Sequence, residues 1–421
     1  MSVLATSLAC LRLQRTQWSD QGRLRRSQEA RLRRLVAHAG RTVPFYRQRF
    51  ERAGIDPDQI RGLRDLQRIP VTTKADLQAA GPDATLSSAF DPADLVREHT
   101  SGSTGRPFTV AFDRRFVAVR DALFLRVLAT AGSRLSDRLM LVTSARDKRD
   151  RFWPRWRYAS IEAPPEDLMA QFEEFRPSVL YGCLTPLRQM ALIARGRRGH
   201  TPKAVVSTAE GLDPQSRRLL ATHFGAPVHD AYGLTEAGML AWQCAVGSGY
   251  HLAEDTAIVE FLPASDGAVS RLIVTNLELT AMPLIRFETG DLAIPADDGA
   301  CACGRQLRRI RAIEGRAVDC VRLSGGRLVS PYRFTLALEA IEGIRRYQLI
   351  QNEIDRFVLR VDAGMDAPAG LEEAGRSAIR DLVGQDAAVE VVRERALDPP
   401  PGRKFRVVES RLGAPPRPEA A

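Results

Sequence analysis

Residues 99–107 read His-Thr-Ser-Gly-Ser-Thr-Gly-Arg-Pro. Small residues let backbone N–H groups close on an anion, and hydroxyls add donors, so Thr100, Ser101, Gly102, Ser103, Thr104 and Gly105 suit a phosphate. A plain surface turn has the same composition, and the Gly-Lys-Ser/Thr ending of a P-loop is missing. Four polar segments follow in order: Asp-Ala-Tyr-Gly-Leu-Thr-Glu at 230–236, Arg-Phe-Glu-Thr-Gly-Asp at 286–291, Ile-Glu-Gly-Arg at 313–316 and Gly-Arg-Lys-Phe at 402–405. Each concentrates titratable side chains beside glycine, where backbone and ligand can approach closely. A separate group, Cys244, His251, Cys301 and Cys303, offers three thiolates and an imidazole, enough for the closed tetrahedral set of a structural zinc site; the spacing is no known finger pattern, and three thiols and a surface histidine without metal are the plain alternative.

These residues sit in a chain of 421 residues, long enough for two or three domains and a large core. Hydrophobic residues are 44% and charged residues 27%, ordinary for a globular protein, and no apolar run is long enough to cross a membrane. The N-terminal stretch lacks a basic region before its apolar residues and is interrupted early by arginine, so a secretory signal is not expected. Six unevenly spaced cysteines do not make a disulfide scaffold, and the expected compartment is the reducing cytoplasm. The net charge is +10, yet acids are interleaved throughout and aromatics are only 6%, which argues against a nucleic-acid partner. All but four of the 61 basic residues are arginine; the exceptions are Lys74, Lys148, Lys203 and Lys404.

Positioning falls to the elements between these segments. Residues 22–53 carry apolar positions at a helical period, broken at Pro44. From 95 to 290, short β-rich runs at 139–143, 178–182, 204–208 and 271–276 alternate with helical stretches at 115–131, 165–176, 186–196 and 213–224. Such alternation predicts an α/β fold of layered sheets and helices. Residues 301–320 read as a Cys/Arg/Gly-rich connector. Beyond it, a smaller α+β unit has strands near 346–351, 356–362 and 387–393, a helix near 370–384, a Pro-rich loop at 398–402 and a disordered tail past 412.

The five ordered segments together resemble the adenylate-forming superfamily of acyl-CoA ligases, luciferases and peptide-synthetase adenylation domains. Within it the sequence is most similar to the phenylacetate–coenzyme A ligase family, through the helix leading into VPFYRQRF, through IPVTTKADL at 69–77 and through Cys-x-Cys-Gly-Arg. The resemblance spans about residues 24–410. It implies a large N-terminal ATP- and acyl-binding domain (1–318) and a small mobile C-terminal lid domain (319–421) carrying the catalytic lysine. It implies a reaction in which ATP and a carboxylic acid, aromatic or arylacetic, form acyl-AMP, and the acyl group passes to coenzyme A. A carrier-protein thiol or an amine is the alternative acceptor, and a nucleotide binder without turnover is the alternative to an enzyme.

Read against that family, Thr100–Gly105 would cradle the β- and γ-phosphates, while Arg106 receives no role. Tyr232 would lie on adenine, with Asp230 accepting from its amino group and Glu210, Gly211 and Gly233 lining the same pocket. Thr235 would meet the α-phosphate and Glu236 would hold Mg²⁺, a hard cation suited to carboxylate and phosphate oxygens. A charge at a helix N-terminus is the plain alternative for Glu236. Asp291 would take the ribose hydroxyls, and Arg316 the ribose or a phosphate. Lys404 would offset the repulsion between carboxylate and α-phosphate; a compact ammonium suits that task better than a guanidinium. Cys244, His251, Cys301 and Cys303 fall where some family members bind structural Zn²⁺. The family's hinge position, usually Asp or Lys, is Val318 here, a departure, with Asp319 next, and the acyl pocket would be lined by Tyr181, Gly182, Ala237 and Gly238. No membrane partner is expected, and a homodimer is compatible with the sequence.

Overall fold

The computed structural model describes residues 3–99, 108–143, 155–193, 199–246, 249–264, 269–296, 299–316, 320–329, 331–363, 367–394, 397 and 406–412. Its centre is an 11-stranded mixed sheet. From one edge to the other, the strands are Ala257–Pro263, Ser270–Asn276, Phe287–Pro295, Arg309–Arg316, Tyr250–Leu252, Gly238–Trp242, Val228–Leu234, Ala204–Thr208, Val179–Cys183, Leu139–Thr143 and Trp156–Ser160. The last five named are parallel; the others pair antiparallel.

The parallel half is covered on both faces, so its strands are nearly continuous apolar runs. Met140, Val142, Leu180 and Val205 face a core shared with Leu168, Phe172, Leu187 and Phe224, from the helices Pro165–Phe175, Leu184–Ile193 and Pro214–Phe224. Leu139, Leu141, Val179 and Val206 face the other way, toward Leu123 and Val127 of helix Arg114–Thr130 and Leu13 of helix Val3–Thr16. The expected helix at 22–53 is two helices, Gln21–Thr42 and Pro44–Arg52, parted at Val43 as the proline predicts. Their buried Leu32, Leu35, Val36, Tyr46 and Phe50 close a third core over Ile258, Leu277 and Ile285 of the antiparallel half.

Residues 321–410 build a separate layer. A four-stranded sheet runs in the order Ala388–Glu394, Arg356–Ala363, Ile344–Glu353, Val408–Ser410. It has its own core around Phe334, Leu349, Leu359 and Ile379, with the helices Pro331–Glu339 and Leu371–Val383. The connector read at 301–320 contains a full strand, Arg309–Arg316, that lies inside the large sheet. No helix among the described residues is long and apolar enough to cross a membrane.

Candidate active site and Cys/His cluster

Among the described residues, the polar segments 230–236, 286–291 and 313–316 come together on the large sheet. Strand Ala204–Thr208 leads into Ala209, held at φ +67, and then into Glu210, whose Oε2 accepts from the Thr185 hydroxyl at 2.5 Å. A non-glycine residue at positive φ costs energy and tends to persist at functional sites. Strand Val228–Leu234 carries Asp230 and Tyr232 on one face. The Tyr232 hydroxyl donates to Asp291 Oδ2 at 2.7 Å, across 59 residues of sequence. Asp291 follows Gly290, whose φ of +80 suits glycine, and its N–H donates to Thr289 Oγ1 at 3.1 Å. In the sheet register Asp291 stands opposite Arg316.

Thr235 and Glu236 occupy the turn of an antiparallel hairpin between Val228–Leu234 and Gly238–Trp242, which sets aside a helix N-terminus for Glu236. Gly233 permits this hairpin: a Cβ there would lie 2.9 Å from the Gly238 carbonyl oxygen. Glu236 is 8% exposed, and the Lys74 ammonium stands 3.5 Å from its Oε1. Asp230 lies deeper. Its Oδ2 accepts from the Tyr250 hydroxyl at 2.6 Å, and the chain's Gln243 Oε1 accepts from its N–H at 3.0 Å. Burial pushes the Asp230 carboxyl up to about 6, although Tyr250 and Arg217 pull the other way.

The four Cys/His ligand atoms all lie within 4.8 Å of one another. Cys244 Sγ and Cys301 Sγ are 3.6 Å apart, and Cys303 Sγ is 3.3 Å from His251 Nε2. Zinc at about 2.3 Å from sulfur and about 2.0 Å from nitrogen gives tetrahedral edges of roughly 3.3–3.8 Å, so the donor set fits that ion. Burial, then Arg305 and Arg309, push His251 down to about 4, leaving the neutral imidazole that ligates a metal. Burial raises the Cys303 thiol, but hydrogen bonds from the Arg305 backbone and guanidinium outweigh it and hold the thiol below its usual value. Arg305 also donates to Gln17 Oε1 at 2.9 Å and lies over the Trp18 ring at 4.5 Å, tying the cluster to the segment after the first helix.

No protein-family model matches the chain. A phenylacetate–coenzyme A ligase of Thermus thermophilus is 30% identical over 404 residues, covering 89% of this chain and 88% of that protein. The chain belongs to the phenylacetate–coenzyme A ligase family. A solved 2-hydroxyisobutyryl-CoA ligase in the postadenylation state, in complex with R3-HIB-AMP, superposes with a TM-score of 0.79 at 22% identity, over 93% of this chain and 90% of that one. The same enzyme with 2-HIB-AMP and CoA in the thioesterification state gives 0.63 at 23% identity, over the same shares of the two chains. These likenesses establish the fold of this ligase-family chain: a large domain of mixed sheet and helices followed by a C-terminal domain.

Of the residues expected at its site, Tyr232, Asp291 and the backbone of Arg316 come together, and Glu236 stands on the same hairpin as Tyr232. Glu210, Gly211 and Thr235 lie at neighbouring strand ends. Asp230 lies beneath the surface with Tyr250 on it. Thr100, Ser101, Gly102, Ser103, Thr104, Gly105 and Lys404 fall outside the described residues, as do Val318, Asp319 and the tail past 412. Lys74, Tyr250 and Arg286 were not singled out by sequence. Lys74 left a trace as one of the four lysines of the chain, within IPVTTKADL, and Arg286 as the first residue of the segment 286–291.

Proposed function

We propose that this chain uses ATP to convert a carboxylic acid to acyl-AMP and then transfers the acyl group to the thiol of coenzyme A. The observation that carries the reading is the Tyr232–Asp291 pair beside a hairpin that presents Glu236. Asp291 exchanges its tyrosine partner for the ribose hydroxyls, and the Tyr232 ring supports adenine with Glu210, Gly211 and Gly233 around it. Asp230 closes the pocket from beneath, and Arg316 adds a donor to the ribose or a phosphate. Thr235 meets the α-phosphate. Thr100–Gly105 take the outer phosphates. Glu236 would hold Mg²⁺, which neutralises phosphate charge and is suited by a carboxylate with phosphate oxygens.

In the first half-reaction a carboxylate oxygen attacks the α-phosphorus, and the bond to the β-phosphate breaks with its electron pair leaving on pyrophosphate. Lys404 stabilises the charge that grows on the α-phosphate. In the second, the thiol attacks the acyl carbon and AMP leaves. The higher likeness to a postadenylation state than to a thioesterification state supports a lid, residues 319–421, that rotates about Val318 between the two steps. Tyr181, Gly182, Ala237 and Gly238 line the acyl pocket. The small size of Gly182, Ala237 and Gly238 favours a flat aromatic or arylacetic acid.

We assign structural Zn²⁺ to Cys244, His251, Cys301 and Cys303, and the cytoplasm as compartment; no disulfide joins any of the six cysteines, which suits a reducing environment. The test is ATP–pyrophosphate exchange over aryl, arylacetic and fatty acids, with the best acid then assayed with and without coenzyme A. Exchange should appear with an aromatic acid, and Lys404→Ala should lower it by about two orders of magnitude or more. Silence across the panel from a folded protein, or exchange unchanged in the variant, would overturn the reading. Product formed with an amine but not with coenzyme A would move the acceptor assignment.

A further inference from the structure

One charged residue of this region has no task in the reaction as described. Lys74 opens the helix Lys74–Ala80, and the backbone that delivers it is fixed from three sides. Thr73 and Asp76 form a reciprocal capping box at the helix start. Thr72 bridges to the strand that carries Asp291: the Thr72 N–H donates to the Arg286 carbonyl at 2.9 Å, and the Glu288 N–H donates to the Thr72 carbonyl at 2.9 Å. Arg286, held at φ +46, pairs with Glu260 and reaches back to the carbonyls of Gln67 at 3.0 Å and Ile69 at 2.6 Å. The Lys74 segment and the Asp291 strand therefore move as one piece.

The side chain runs over Phe108, with Nζ 5.5 Å from the ring centroid, and ends 3.5 Å from Glu236 Oε1. Phe108 follows Gly105 by three residues in the sequence, and Leu77, Phe108, Ala237 and Phe287 share one core cluster. The Lys74 ammonium thus lies between the start of the strand after the phosphate loop and the acid proposed for Mg²⁺. Stability does not account for this placement: a 3.5 Å pair with the lysine side chain a quarter exposed contributes about 1 kcal/mol at most. Identity points the same way. In a chain whose basic residues are nearly all arginine, this position is lysine, and a compact ammonium with three donors serves a phosphate oxygen as a point charge.

We propose that Lys74 is a phosphate-binding residue of the adenylation half-reaction. Before nucleotide arrives it holds the Glu236 carboxylate. With ATP bound, Glu236 would hold the metal and Lys74 would donate to the oxygens of the β- and γ-phosphates, the part that leaves as pyrophosphate. Lysine forms and breaks no covalent bond; it offsets negative charge on the leaving group. This rests on the nucleotide reading of the site proposed above.

Calorimetric titration with α,β-methylene-ATP, pyrophosphate and AMP, each with Mg²⁺, tests the inference without turnover. Lys74→Met retains the apolar stem over Phe108 and leaves the capping box intact, and an unchanged melting curve confirms its fold. It should weaken α,β-methylene-ATP and pyrophosphate at least tenfold and AMP less than twofold, and Lys74→Arg should recover part of the loss. Wild-type affinity for all three ligands in the Met variant would overturn the role of Lys74 while leaving the site reading intact. An equal loss for all three would overturn it too, since the lysine would then only be shaping the pocket. A wild-type protein that binds none of them would sink the reading of the site itself.

Discussion

Two groups of polar side chains sit on the same sheet and differ in how they are satisfied. The Cys/His cluster is closed: Cys244, His251 and Cys301 are buried, their ligand atoms converge on one point, and Arg305 braces the fourth ligand from outside. At the proposed nucleotide end the side chains are held in pairs: Tyr232 holds Asp291, Thr185 holds Glu210 and Lys74 holds Glu236, each pair partly exposed and, in the proposed reading, each exchanging its partner for a ligand. A closed set adds to stability and has no open position for chemistry. A set of exchangeable pairs adds little to stability and keeps acceptors oriented and not stranded until substrate comes. The comparison teaches that substitutions in the two regions should separate fold from turnover.

The largest effect is expected from breaking the closed set. Cys301→Ser should take zinc, measured by elemental analysis of protein purified without chelator, from near one per chain to a small fraction of that. Denaturant unfolding should lose on the order of 4 kcal/mol or more, the range reached when a metal site is lost. Wild-type protein without zinc, or a variant that unfolds where the parent does, would end the structural-metal assignment. The opposite signature belongs to Asp291→Ala. Exchange should fall a hundredfold or more, mainly through ATP affinity, because two charge-assisted hydrogen bonds are lost at roughly 1.5–3 kcal/mol each. Unfolding should change by only about 1 kcal/mol, the worth of the bond from Tyr232. An Asp291 variant that unfolds early and binds ATP normally would reverse the division drawn between the regions.

How much of this was legible depended on what each residue had to do. The parallel strands stood out because burial on both faces forces apolar runs: the runs at 139–143 and 204–208 are strands over those same residues. The antiparallel half was harder. Strands such as Gly238–Trp242 and Phe287–Pro295 are dominated by the needs of the site, with Gly290 and Thr289 inside one of them. Arg309–Arg316 read as connector because its arginines hide a strand that is buried at Ile310 and Glu314. Helix Val3–Thr16 went unread since Val3, Leu4, Leu8 and Leu11 are exposed while Ala9 and Leu13 are buried, which blurs any apolar face. Order of segments located Tyr232, Glu236 and Asp291, but no spacing rule could join residues 59 apart into one hydrogen bond, nor reveal that Lys74 faces Glu236.

Asp230 belongs by sequence to the nucleotide end and by burial to the closed kind, and its protonation can decide between them. Its carboxyl titrates near 6 in the folded protein, against 3.8 as the unperturbed value, because burial disfavours the charged form. Between those two values the folded chain keeps a proton that the unfolded chain has released. Stability on this account is therefore greatest below the unfolded pKa, falls as pH climbs through about 6, and is flat beyond, with a span on the order of 2–3 kcal/mol. Asp230→Asn removes the titration but can still accept from Tyr250. The difference in melting temperature between variant and parent should therefore shift in the variant's favour as pH rises from 4 to 7, and stay level from 7 to 8. The KM for ATP should move less than about threefold, since Asp230 Oδ2 is held by the buried Tyr250 hydroxyl, whereas the tyrosine on Asp291, Tyr232, is only partly buried. A pH-independent difference would show that the carboxyl is already ionised at pH 4. A tenfold rise in KM without any change in the pH profile would return Asp230 to the exchangeable group, as a direct partner of adenine.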